Sequence, residues 1–140
     1  MKYTASKAVV LGYQEMKMVA NRTALKNALL CASCTYNGYV TDYTTNNWTS
    51  AALPIVWKRS DFTLVSSGNK VAVPSYDTSN KYLTWVKLRH NATKKEFYLV
   101  NAHPVYGAAK NDGTRSGDTV RENAYREYMD SLVSKLNELK

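Results

Sequence analysis

Two short stretches carry side chains that could act on a metal or a phosphate. Gln14-Glu15 follows the apolar run Val9-Val10-Leu11, which closes at Gly12-Tyr13. A carboxylate at the end of a buried strand is held by a rigid element and can face a cleft. Its oxygens are preferred ligands of magnesium, manganese or calcium, and such an ion can polarise a phosphoryl oxygen. From spacing alone, a solvated glutamate in a helix-entry turn is the commoner explanation. The second stretch is Asn101-Ala102-His103-Pro104, which ends the apolar run Phe97-Tyr98-Leu99-Val100. Residues two apart on a strand share a face, so Asn101 and His103 are expected side by side. An imidazole exchanges protons near neutral pH, and Asn101 can orient either that ring or a ligand. The plainer alternative is a strand-end histidine bonded to a loop. A third stretch, Cys31-Ala32-Ser33-Cys34, has redox or half-zinc spacing. Zinc would need two further ligands, and the imidazoles of His90 and His103 lack ligand-like spacing. A redox pair usually opens a helix, whereas this one closes a helical pattern. Small residues near a helix end are the expected reading.

The elements that must position these groups can be read from apolar periodicity. Residues 8–13 read as a buried strand. A helix capped by Asn21 or Thr23 follows, with Leu25, Ala28 and Leu29 at helical spacing, and ends near Cys34. Asn37-Gly38 signals a turn, with a strand after it through Tyr39, Val40 and Tyr43. Residues 44–50 read as loop, and residues 53–58 and 62–66 as a hairpin joined by Arg59, Ser60 and Asp61. Ser67-Gly68-Asn69 reads as a turn, and 74–81 as a polar loop. Strands over 82–89 and 96–103 flank a hairpin loop, and 104–117 is a long surface loop of the kind that often carries function. The last element is a helix capped by Asp118 or Thr119. Its apolar stripe is Val120, Ala124, Tyr128, Leu132, Leu136 and Leu139. Helices with antiparallel hairpins imply an α/β (α+β) sandwich and exclude a simple doubly wound sheet.

Bulk properties set the class. The 140 residues suffice for one domain, and 44% hydrophobic with 21% charged residues is a globular composition, not a disordered one. A net charge of +8 favours polyanions such as nucleic acid, phosphorylated lipid heads or phosphate esters, although the positive charges are scattered. No apolar run approaches the roughly 18 residues of a membrane span. The short run 8–11 is too brief for a secretory leader, and the compartment stays open.

Taken in order, these stretches resemble the endonuclease/exonuclease/phosphatase superfamily, the deoxyribonuclease-like phosphoesterases. The apolar strand before Gln14-Glu15 resembles the family's Gln-Glu motif, whose Glu is a divalent-metal ligand. Residues 53–62 look like its hairpin with a basic turn. Residues 83–89 and 95–103 look like the paired strands leading to its Asn-Thr-His motif, with Ala102 in the middle place. The resemblance implies one domain over 1–140 forming part of a four-layer α/β/β/α sandwich. It further implies a Mg2+ (or Mn2+ or Ca2+) ion at Glu15, catalytic roles for Asn101 and His103, and a nucleic acid or other phosphodiester substrate. Departures are also present. The family's opening-strand Asn has no match before Lys7. Gly117-Asp118 continues as Thr119-Val120 and precedes the helix, so it is not the Gly-Asp-x-Asn motif. The Ser-Asp-His motif that activates water is absent. The chain is therefore expected to be truncated at both ends and inactive alone, because loss of a general base costs about 10²–10⁴ in rate. It is expected to need a homo-oligomer or a complementing polypeptide. A phosphatase acting on lipid or inositol phosphates and a non-catalytic binding module are the alternatives. Glu15, Asn101 and His103 are expected at the same end of one sheet, facing a shared cleft.

Overall fold

The computed structural model describes residues 8–46, 48–76 and 79–140. The stretch up to Lys7, where an opening-strand Asn is expected and not matched, and parts of the expected loops at Asn47 and at Asp77-Thr78 lie outside the described residues.

The first sheet is built around a strand buried on both faces. Strand β3, Ile55–Lys58, lies between β1, Val10–Gly12, and β2, Tyr36–Tyr39, and runs antiparallel to both. Its continuous Ile55-Val56-Trp57 run is the pattern expected when both faces are covered. Val56 points to helix α1, Val19–Leu29, and packs with Met16, Leu25, Leu29 and Tyr36. Ile55 and Trp57 point the other way, onto Val86 and Leu88 of a second sheet. That sheet is an antiparallel meander of β4, Phe62–Tyr76, β5, Ser79–His90, and β6, Glu96–Ala102. Helix α2, Thr119–Glu138, covers its outer face through Ala124 and Tyr128, packed on Ala72, Val73 and Leu83. The three apolar clusters thus stack α1, first sheet, second sheet and α2 in that order, in agreement with the mixed α/β architecture expected.

Several local expectations are corrected. Residues 53–58 and 62–66 do not form a hairpin: β3 pairs with β1 and β2, and β4 pairs with β5 in the other sheet. The Arg59 turn carries the chain between sheets and is fixed from both sides. The Arg59 guanidinium donates to the Ala32 carbonyl at 2.8 Å and to Asn37 Oδ1 at 2.9 Å, while Asn91 Nδ2 donates to the Ser60 carbonyl at 2.8 Å. Asn37-Gly38 is strand, paired with Trp57 and Val56, and the turn lies upstream of it. Helix α1 starts at Val19, before Asn21, because Asn46 from a distant loop caps it, accepting from the Val19 N–H at 2.6 Å. On α2, Asp118 caps as expected. The stripe lifts off the sheet at both ends, however, with Val120 71% and Leu136 43% exposed. Cys31 and Cys34 are joined in a disulfide, so they are not the spectator residues expected, and neither thiol is free for zinc.

Ser67-Gly68-Asn69 is also not a turn. It lies within β4, opposite Val86, Trp85 and Thr84. A Cβ on Gly68 would sit 2.7 Å from the Trp85 ring, so this glycine marks a close approach of an indole to the backbone. Gly68→Val is expected to push Trp85 aside and cost about 1–3 kcal/mol. Thermal unfolding and tryptophan fluorescence check this; an unshifted spectrum with unchanged stability would contradict it.

Candidate active site

The two sheets are stapled at one end by Asn101. This residue is buried near the end of β6. Its Nδ2 donates to the Tyr13 carbonyl at 2.7 Å and to the Pro54 carbonyl at 3.2 Å. Its Oδ1 accepts from Gln14 Nε2 at 3.3 Å, and Gln14 also donates to the Ala102 carbonyl at 3.2 Å. Gly12 permits this approach, since a Cβ there would lie 2.9 Å from Asn101 Oδ1. An amide with two donors and one acceptor is the only neutral short side chain that satisfies this set.

Immediately beyond the staple the chain turns sharply. Glu15 has φ +60, a left-handed conformation that costs a non-glycine residue energy and clusters at functional sites. The turn is held from below. Met16 N–H donates to the Ala52 carbonyl at 3.1 Å, and the fully buried Arg22 guanidinium donates to the Met16 and Lys17 carbonyls at 2.6 and 2.8 Å. Arg22 also reaches the Asp42 and Thr45 carbonyls at 2.7 and 2.5 Å, so one cation ties the Glu15 turn to the 42–45 loop. The Asp42 carboxyl is kept well below its usual range, chiefly by hydrogen bonds from Thr44, and its anion lies 3.8 Å from Arg22.

His103 follows directly after β6. Its backbone N–H donates to Tyr128 Oη at 2.8 Å, and that hydroxyl donates to the Tyr82 carbonyl at 2.9 Å. Burial pushes the Tyr128 hydroxyl up to about 12, so it keeps its proton and this relay near neutral pH. The imidazole turns toward the first sheet, where its Nε2 lies 3.7 Å from Glu15 Oε1. Both side chains stay open to solvent, 36% for His103 and 69% for Glu15. Next to them Lys17 and Lys81 lie over the Trp48 ring at 5.0 and 5.7 Å, which adds positive charge to the same end.

Glu15 and His103 therefore meet, but not on one sheet as expected. Glu15 extends from the first sheet and His103 from the second, and they converge because Asn101 clamps the two together. Asn101 does not stand beside His103 in the cleft, because its amide is engaged between the sheets. Among the described residues no three His, Cys, Asp or Glu side chains gather as a metal cage. Glu15 is a single accessible carboxylate, which suits an oxygen-liganded ion held by one or two carboxylates with water and phosphate filling the other places. Sequence reasoning did not single out Arg22 or assign a role to Gln14, and it read Tyr128 only as part of an apolar stripe.

No family model matches the sequence, and no curated protein does. Solved structures do match. An endonuclease/exonuclease/phosphatase from Bacteroides vulgatus aligns with 99% of this chain and 49% of its own, at TM-score 0.68 and 19% identity. The human Nocturnin catalytic domain, solved with a bound sulfate anion, aligns with 99% of this chain and 49% of its own, at TM-score 0.60 and 13% identity. A mannosyl-6-phosphatase from Bacteroides thetaiotaomicron aligns with 99% and 48%, at TM-score 0.65 and 17% identity. The chain thus has the fold of the endonuclease/exonuclease/phosphatase proteins and spans about half the length of the structures it matches.

Proposed function

We propose that this chain is part of a divalent-metal-dependent phosphoesterase of the endonuclease/exonuclease/phosphatase kind, acting on a nucleic acid or another phosphodiester. The observation that carries this is the 3.7 Å approach of Glu15 and His103 from separate sheets, with both side chains solvent-accessible. In this reading Glu15 holds Mg2+ (or Mn2+ or Ca2+) by its carboxylate. The ion, when bound, draws charge from a phosphoryl oxygen. His103 donates a hydrogen bond from Nε2 to a phosphoryl oxygen and so favours the charge that develops there. Asn101 and Tyr128 are positioning residues: one sets the distance between sheets, the other the height of the His103 backbone. The net charge of +8 and the lysines beside Trp48 attract a polyanion.

No acid–base pair accompanies Glu15 and His103 among the described residues, so the chain alone is proposed to bind phosphate esters without turning them over. A complementing polypeptide or a second copy would supply the remainder. Among the described residues β6 is an edge of the second sheet, beside the exposed Phe97, Tyr98, Val133 and Leu136, which suits such a contact. The mannosyl-6-phosphatase match makes a phosphomonoester the second reading.

Calorimetric titration with Mg2+ tests the metal role. Glu15→Gln is expected to abolish binding with unchanged unfolding temperature, since the side chain is mostly exposed. His103→Ala should keep metal binding and weaken inorganic phosphate by about ten- to a hundredfold, the range for a hydrogen bond to a charged group. Mg2+ binding that survives Glu15→Gln would remove the metal from the proposal.

A further inference from the structure

Beside His103 a cavity of about 780 Å³ opens between the 104–117 segment and the outer face of α2. Its volume lies in the range of small-ligand sites. Pro104 and Val105 continue from His103 into its wall, and Tyr125 and Met129, one helical turn apart, form the α2 side. Tyr106 stands at the rim with 88% of its surface exposed. Arg126 also lines the cavity, and its charge helps hold the neighbouring Glu122 carboxylate ionised.

The far wall is preformed. The Ala108 carbonyl accepts from Ser116 N–H at 3.1 Å, and the Thr114 carbonyl accepts from Lys110 N–H at 2.8 Å. This folded segment is fastened to α2 by the Arg115 guanidinium, which binds Glu122 through Nε at 2.6 Å and also through Nη2. Gly117 N–H donates to the other Glu122 oxygen at 2.8 Å. Arg115 first, and Gly117 second, keep the Glu122 carboxyl below its usual range, so the pair stays ionised and closed. A wall already ordered loses little on ligand binding.

We propose that this cavity takes the base of a nucleotide whose phosphate lies at Glu15 and His103. The inference rests on the phosphoesterase reading above and adds to it the place where the base is held. The lining is mostly apolar and aromatic, and Arg115 is already engaged by Glu122. A polyhydroxyl sugar would leave hydroxyl groups unpaired in such a place. A planar ring needs few hydrogen bonds and gains from stacking on Tyr106 or Tyr125, with Arg126 as a cation over its face. The helical positions 122, 125, 126 and 129 share one face, so α2 presents the aromatic ring and the guanidinium together.

The test is calorimetric binding of adenosine 5′-monophosphate, inorganic phosphate and mannose 6-phosphate with Mg2+ present. Adenosine 5′-monophosphate should bind at least about tenfold more tightly than either of the others. Tyr106→Ala, at an exposed rim, should weaken it about tenfold and leave inorganic phosphate unchanged. Arg126→Ala should act in the same direction. Equal affinity for mannose 6-phosphate, or no change with Tyr106→Ala, would overturn the assignment. If Tyr106→Ala weakens the nucleotide but Glu15→Gln and His103→Ala leave inorganic phosphate untouched, the cavity stands and the phosphoryl site falls.

Discussion

Arg22→Met is expected to lower the stability of the fold by about 3–5 kcal/mol, the range for removing one member of a buried charged network. Methionine fills much the same volume, so the loss comes from polar groups, not from a void. The guanidinium donates to the carbonyls of Met16, Lys17, Asp42 and Thr45. A buried acceptor left without a partner costs about 1–3 kcal/mol, and water can reach only part of this set. Asp42 would remain ionised and lose its cation. Arg22→Lys should recover a minor part, because one ammonium cannot reproduce a planar fork that spans two loops. Urea unfolding measures the change; a loss below about 1 kcal/mol would show that the two loops hold without Arg22. The same variant should weaken Mg2+ binding, because the turn that presents Glu15 is no longer held from beneath.

Asn101→Asp changes little in shape and is expected to cost about 3–5 kcal/mol at neutral pH, as an uncompensated buried charge does. The amide nitrogen now faces the Tyr13 and Pro54 carbonyls. A carboxylate oxygen in its place would face two acceptors. Only the protonated acid can donate to one of them, so the folded-state pKa of the introduced group is raised above the unfolded value. The variant should therefore be most stable below the ordinary Asp range and weaken as pH rises through the raised folded value. Native Asn101 should show no such term. Denaturant midpoints between pH 3 and 8 would reveal it, and a flat profile would mean that the staple is not buried in solution. Because Asn101 sets the spacing between sheets, the Glu15–His103 approach should be lost with it.

The distinction between these residues and the ones visible in the sequence is physical. Strands 82–89 and 96–103 are legible because alternating apolar residues with a polar five-residue loop admit few other structures, and β5 and β6 form there. The α2 helix is legible from its cap and its period. Glu15 and His103 are legible as residues just past strand ends: His103 directly follows β6, whereas Glu15 lies three residues past β1, in a turn set by contacts from Ala52 and Arg22. What pairs with what is not. Residues 53–58 and 62–66 look like a hairpin because adjacency usually means pairing, yet β3 is central in one sheet and β4 begins another. The partners of β3 come from both sides in sequence, and only tertiary contact selects them. Gly68 looks like a turn residue until Trp85 is seen above it. Arg22 reads as an ordinary helix-surface cation; its burial depends on loops that close over it from 42–45. Asn46 caps a helix 27 positions away in sequence, a relation no local pattern contains. The cavity beside His103 was half visible as a long polar segment, but its α2 wall lies one face away from the apolar stripe and carries no periodic signal.

The positive φ at Glu15 bears on how such a chain would change over generations. Glycine at this position would relax the backbone by about 1 kcal/mol, so mutation in lineages with no use for the carboxylate would meet a favourable slope toward glycine or asparagine. A glutamate that persists there does so uphill, and its persistence across descendants would register continued demand for the acid group more sharply than would that of any residue whose retention the fold itself rewards.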